Sequence, residues 1–131
     1  MEYKKNMKIL AIILICSLFI YSGFSKIFNF NDTTLGFHQK INNGLFGNIF
    51  TYNVSQGLII LAILLLLVAP TLMLIGVYNE NASLLKIGSW LLIGFTILAT
   101  LIYHPITNFS EINNMLKNLS IIGGLIYVTL N

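Results

Sequence analysis

The sequence predicts an all-α, integral membrane four-helix bundle with an interfacial aromatic-rich loop between helices 1 and 2. Three observations carry that prediction. Of 131 residues, 56% are hydrophobic and only 8% charged; the mean hydropathy is +0.85; and the apolar residues gather into long runs with abrupt polar breaks. A soluble domain carries about a quarter charged residues, so this chain lacks the means to cover a water-facing surface. Four helices of about 20 residues each would use up most of its length. One transmembrane domain over 1–131 follows, with spans near 9–26, 54–78, 84–103 and 111–130.

The first apolar run, Ile9 to Phe24, follows Lys4, Lys5 and Lys8. It reads as a retained helix and not as a cleaved leader. Tyr21-Ser22-Gly23-Phe24-Ser25 is a poor small-x-small cleavage site, and Ile15 before Cys16 spoils a lipoprotein site. The second run, Val54 to Val77, is broken only by Pro70, which removes a backbone hydrogen bond and predicts a kink in the inner half. Asn79-Glu80-Asn81 makes the next turn, and the third run covers Leu84 to Tyr103 before His104-Pro105 stops it. The unbroken apolar part of the fourth, Ile121 to Leu130, is too short to cross a hydrocarbon core of about 30 Å. Its helix must therefore start near Ser110 as N-cap, with Glu111 in the first turn. That start puts Asn113, Lys117, Ser120 and Gly124 on one face, a small and polar stripe suited to contact with other helices.

Asn29 to Asn53 is rich in Asn and Gly but carries Phe30, Phe37, Phe46, Phe50 and Tyr52, with Phe28 just before it. Aromatics at this density predict an interfacial segment. Asp32 or Thr33 caps a short helix bearing Leu35, Phe37 and Ile41, which Asn43-Gly44 ends. The chain shows no internal repeat, and its Asn and Ile bias reads as that of an AT-rich genome.

Charge and cysteine usage exclude several functions. The formal charge of +3 comes from seven basic residues, all lysines. They are spread thinly, so nucleic acid is not an expected partner. Cys16 stands alone, so there is no internal disulfide, CxxC pair or thiolate metal site. Any redox chemistry would need a borrowed cofactor or partner. Glu2, Asp32, Glu80 and Glu111 sit at a terminus, caps and a turn, and no paired carboxylate, nucleophile or phosphate loop is present. His38 and His104 have no HxxxH spacing, so no metal site is expected. The five N-x-S/T sequons, at Asn31, Asn53, Asn81, Asn108 and Asn118, are what an Asn-rich chain produces by chance.

Four spans place Met1 and Asn131 on one side. Lys4, Lys5, Lys8 and Lys86 would be cytoplasmic against Lys26, Lys40 and Lys117 opposite, by the positive-inside rule. Whatever the orientation, the end of span one, the start of two, the end of three and the start of four share a membrane face. That face collects Ser22, Ser25, Lys26, Asn53, Gln56, His104, Asn113, Lys117 and Asn118. Ser22, Ser25 and Lys26 fall at i, i+3 and i+4 on the last turn of span one, and Lys117 and Asn118 open span four.

The plain reading is that both lysines snorkel to headgroups while the serines satisfy backbone. The functional reading is a shallow pocket in which two ammonium groups and an amide hold an anionic headgroup or the oxygens of a quinone-like ring. That reading places Lys26 and Lys117 within about 10 to 12 Å of each other, near the Debye length at which their repulsion is already much reduced. His104 could pass a proton there, although a His before a Pro at a helix end is commonly a boundary residue. His38 has weaker claims. For helix packing, the small residues Gly23, Ser120, Gly123 and Gly124 are the candidates.

Two stretches carry a family resemblance. Tyr21-Ser22-Gly23-Phe24-Ser25-Lys26-Ile27 resembles the Gly-x-x-Lys ending of the first helix in DoxX-type membrane proteins. Leu116-Lys117-Asn118-Leu119-Ser120-Ile121-Ile122-Gly123-Gly124-Leu125 resembles their last-helix Lys-Asn-Leu-x-x-x-Gly-Gly motif. The resemblance implies a four-helix membrane bundle. Some relatives are subunits of quinone-linked sulfur oxidation; others act in redox maturation or as assembly helpers for membrane proteins. Here the first span has no Arg, and Val68-Ala69-Pro70-Thr71 stands where a buried polar residue of the second span would be expected. The expected role is therefore a non-enzymatic structural or accessory subunit of a cellular or viral membrane, without a cofactor. Its expected partners are membrane lipids and other membrane subunits or further copies of itself. The alternative is a membrane subunit of a quinone-linked oxidoreductase that uses Lys26, His104 and Lys117 at the headgroup.

Overall fold

A computed structural model describes residues 2–42, 51–103 and 112–130. Five helices lie within them: α1 (Glu2–Phe28), α2 (Phe30–Asn42), α3 (Tyr52–Tyr78), α4 (Ala82–Tyr103) and α5 (Ile112–Leu130). Among the described residues, three helices are long and apolar enough to cross a membrane: Tyr3–Phe28, Tyr52–Tyr78 and Ala82–Ile102. The first begins well before Ile9, because the lysine-rich leader continues the same helix. The expected fourth span coincides with α5, whose first two turns hold Asn113, Asn114, Lys117 and Asn118, so it falls short of the apolar character of the other three.

Helix α2 starts earlier than the predicted cap at Asp32 or Thr33. Only Asn29 separates it from α1, and the backbone bonds Asn29 N–H to Ser25 O (3.0 Å) and Thr33 N–H to Asn29 O (2.8 Å) carry one helix into the next. Asp32 thus lies in the first turn of α2, where its charge suits the helix dipole. The predicted Asn43-Gly44 stop, the Ser110 cap, Glu111 and His104 lie outside the described residues.

α3 and α4 form the central antiparallel pair, α1 flanks α3, and α5 flanks α4. The turn between α3 and α4 is closed by its own chemistry. Glu80 adopts φ 57, the left-handed conformation that usually calls for glycine. With it, Asn81 N–H reaches back to Gly76 O (2.8 Å), and the Asn81 carboxamide oxygen accepts from the N–H groups of Ser83 and Leu84 (3.1 and 3.3 Å). One asparagine so ends α3 and caps α4.

Pro70 stays inside a continuous α3. The Thr71 hydroxyl beside it donates to Leu67 O, one turn back (2.7 Å). One core draws on all four long helices: Ile12, Cys16 and Phe19 from α1, Leu66, Ala69 and Met73 from α3, Leu85, Leu92 and Ile93 from α4, and Ile122, Leu125 and Val128 from α5. Leu14, Leu61 and Leu130 instead stand well exposed, as side chains that meet acyl chains would.

At the end that bears the α3–α4 turn, Lys5 Nζ meets Glu80 Oε1 at 3.0 Å. The Lys5 hydrogen bond and charge hold the Glu80 carboxyl below its ordinary value of 4.5. A carboxylate with a lowered folded-state pKa stabilises the fold fully above its unfolded value, and that contribution disappears as pH falls through the folded one. Both side chains are solvent-screened, so the effect is local. Acidification below about pH 4.5 is expected to lower amide protection, relative to the intrinsic exchange rate at each pH, in the first turns of α1, and Glu80→Gln should remove that pH dependence of protection. An unchanged pH profile in the variant would show that the pair does not tether α1.

Candidate functional site: an apolar cleft with a lysine in its wall

The last two turns of α1 bring Ser22 and Lys26 together at i and i+4, and the Lys26 ammonium donates to Ser22 Oγ at 3.0 Å. Lys26 is half-buried. It lines a cleft of about 520 Å³ whose other walls are Phe37 and Ile41 of α2, Leu58, Ile59, Leu61, Ala62 and Leu65 of α3, and Trp90, Leu91, Gly94, Phe95, Leu98, Ala99 and Ile102 of α4. Among the described residues that line it, Lys26 is the one with a charged side chain. Gly94 helps to keep the space open, since a Cβ built there would meet nothing within 4 Å.

The other predicted site residues are distributed elsewhere. Lys117 is exposed on α5 and does not line this cleft. Asn118 turns to α4, where its side-chain N–H donates to Thr100 Oγ1 (3.0 Å); Thr100 in turn bonds Thr96 O (2.7 Å). Ser25 is half-buried, and its carbonyl accepts from the Asn29 side chain (3.1 Å). His104, outside the described residues, is not placed.

Of the small residues, Gly23 packs closest to a neighbouring helix, where a Cβ would lie 2.8 Å from Leu67 Cδ2. Ser120 and Gly124 line a second, smaller cleft of about 310 Å³ against Leu14, Ile15 and Leu18 of α1. A Cβ on Gly124 would sit at ordinary contact distance, 4.0 Å from Ile15 Cδ1, and one on Gly123 would meet nothing. The closest backbone approaches are at two glycines that the sequence reading did not single out. A Cβ on Gly76 would lie 2.6 Å from Leu85 N, and one on Gly88 would lie 2.6 Å from Ala69 O.

Sequence reasoning also undervalued His38. Thr34, His38 and Asn42 recur at i, i+4 and i+8 on α2, and this spacing was the signal available. His38 Nδ1 lies 2.9 Å from the oxygen of fully buried Ser55, and its ring stands edge-on to Tyr52 at 5.5 Å. The Asn42 amide nitrogen sits 3.0 Å from Nε2. With Phe37 and Ile41 packed on Ile59, the His38–Ser55 hydrogen bond seats α2 on α3 as one wall of the cleft. Ser55→Ala should therefore cost about 1 kcal/mol and speed amide exchange across α2, with α3 and α4 unaffected. Unchanged exchange in α2 would show that the hydrogen bond does not seat it.

Among the described residues no cluster of His, Cys, Asp or Glu could hold a metal ion. What the site offers chemically is an apolar slot with one ammonium at its wall, itself held by the Ser22 hydroxyl one turn back on α1. The family model described as DoxX matches residues 9–105, from the first apolar run through the end of α4. No curated protein and no solved structure matches the chain.

Proposed function

Because the chain belongs to the DoxX family, we propose that it is a four-span membrane protein that acts as an accessory subunit by holding an amphiphilic molecule in the cleft between α2, α3 and α4. The observation that carries this reading is Lys26, a cation in the wall of an otherwise apolar slot. A charge inside a membrane segment is costly and is a functional-site hypothesis by default. A volume of about 520 Å³ falls within the range of ligand pockets.

α5 serves as the fourth span in this reading. At 19 residues it is about 28 Å long, close to the hydrocarbon thickness of about 30 Å. Its Ile122, Leu125 and Val128 join the common core, and the Asn118 side chain donates to Thr100 of α4. The four spans then alternate, with α1 starting and α5 ending on the side of Lys4, Lys5, Lys8 and Lys86. That side is cytoplasmic by the positive-inside rule. Lipids are the immediate partners, and other membrane subunits or further copies of the chain would cover the outward apolar faces, in a cellular or viral membrane.

Extraction with native lipid, followed by mass spectrometry of bound molecules and co-purifying subunits, tests the reading. The expected result is an amphiphile retained through detergent exchange and lost in Gly94→Phe, which fills the cleft. A protein that retains nothing would overturn the proposal. Retention of a quinone would favour the alternative role in a quinone-linked oxidoreductase, with Lys26 donating to a ring oxygen.

A further inference from the structure

The direction in which Lys26 reaches separates an anchor from a binding group. A lysine that snorkels at the end of a span extends toward the headgroups and water. Side chains on a helix lean toward its N-terminus, so a lysine at the C-terminal end of α1 leans back into the membrane. Lys26 does so here, since its ammonium rests on Ser22 Oγ, one turn deeper in the span. An ammonium has three donors and Ser22 takes one. Among the described residues no carboxylate forms an ion pair with Lys26; the pair formed, Lys5–Glu80, lies at the opposite end of α1. Among the described residues, the remaining walls of the cleft are apolar and offer no neutralising group.

The shape of the cleft indicates what supplies the missing charge. Along α4 it runs from Ile102, at the end near Lys26, to Trp90, about 18 Å at about 1.5 Å per residue. Half of a hydrocarbon core is about 15 Å. The slot is therefore about one leaflet deep, apolar throughout, and cationic at its wall near the mouth.

We propose that it holds one acyl chain of an anionic phospholipid, drawn from the leaflet at the Lys26 end, with the headgroup phosphate against the Lys26 ammonium and the Ser22 hydroxyl. This rests on the amphiphile-binding reading above and gives the occupant its charge. A phosphate can accept the free ammonium protons in short charge-assisted bonds, which a zwitterionic lipid offers with its own cation competing. Ser22 then serves both partners, accepting from Lys26 and donating to phosphate. The close placement of α2 over the cleft, through Phe37 and Ile41, restricts entry to a chain that slides in from the lipid side.

Trp90, the single tryptophan of the chain, lines the cleft and supplies the readout. The full chain is reconstituted in phosphatidylcholine vesicles containing chain-brominated phosphatidylglycerol, and in the reverse mixture, and quenching of Trp90 fluorescence is measured. Brominated anionic lipid is expected to quench at least about fivefold more effectively per molecule, the preference of one lysine for an anionic headgroup. Lys26→Gln should abolish the preference, Lys26→Arg should keep it, and Lys117→Gln, which changes an exposed lysine of α5, should leave it unchanged. Equal quenching by the two lipids in the wild type would overturn the inference. So would loss of the preference in Lys117→Gln to the same extent as in Lys26→Gln, since that is general surface attraction. Displacement of the brominated lipid by an added fatty acid or quinone at equimolar level would also overturn it, while leaving the amphiphile-binding reading intact. If native extraction finds nothing retained at all, both readings fall together.

Discussion

Gly88→Val is expected to lower the stability of the folded bundle by about 3 kcal/mol, the upper end of the usual cost of overpacking, and to separate α3 from α4. A Cβ at Gly88 would lie 2.6 Å from Ala69 O, 2.6 Å from Met73 Cγ and 3.1 Å from Met73 N. The methionine side chain could turn aside, but the two backbone atoms move only with α3 itself. Lipid offers no hydrophobic force to hold membrane helices together, so their association depends on close packing and hydrogen bonds. A bulk that holds the two backbones apart therefore removes much of what joins them. Gly57→Ala is the control. Gly57 is exposed on α3 and has nothing within 4 Å of a Cβ, so its replacement should be neutral or stabilising by up to about 1 kcal/mol from helix propensity. Unfolding in mixed micelles, followed by Trp90 fluorescence, separates the two. A Gly88→Val protein as stable as the wild type would mean that α3 and α4 do not approach as described.

The second large effect is expected at Leu92, which has 0% exposure in the common core. In water-soluble proteins Leu→Ala costs about 2 to 5 kcal/mol, part transfer and part cavity. In a bilayer the transfer part is small, because the unfolded helix leaves leucine in lipid. The cavity part persists, because atoms lining the void have no partner for dispersion attraction on that side, and the expected cost is about 2 kcal/mol, at the low end of that range. Leu101 is 50% exposed on the same helix and does not line the cleft. Leu101→Ala should change stability by less than about 0.5 kcal/mol. Equal losses at the two positions would indicate that the outward face of α4 is covered by protein instead of lipid.

Much of this follows from local sequence, because hydropathy and backbone breaks are local. The apolar runs placed α1, α3 and α4 within a few residues, apart from the lysine-rich start of α1, where charge and helix coexist. The polar turn at Asn79-Glu80-Asn81 and the Ser22–Lys26 turn were legible for the same reason: residues three and four apart on a helix must be neighbours. The DoxX resemblance rested on short motifs, and the family match spans α1 to α4.

Whatever depends on how each helix is rotated about its axis, and on which neighbour it meets, was decided by tertiary structure. Small residues at Gly23, Gly76, Gly88, Gly123 and Gly124 look alike in sequence, yet the helix crossings put a Cβ in conflict with neighbouring backbone at Gly76 and Gly88 and leave it free of contact at Gly123. Two lysines near helix ends look equivalent in sequence, but Lys26 enters a cleft and Lys117 stays exposed. His38 looked like a loop histidine because its partner, Ser55, is 17 residues away on another helix. The sequence alone determined that the chain is apolar and helical, since each of these is a sum over near neighbours. The cleft itself was decided only by the fold, because its walls come from four helices and no segment records the space left between them.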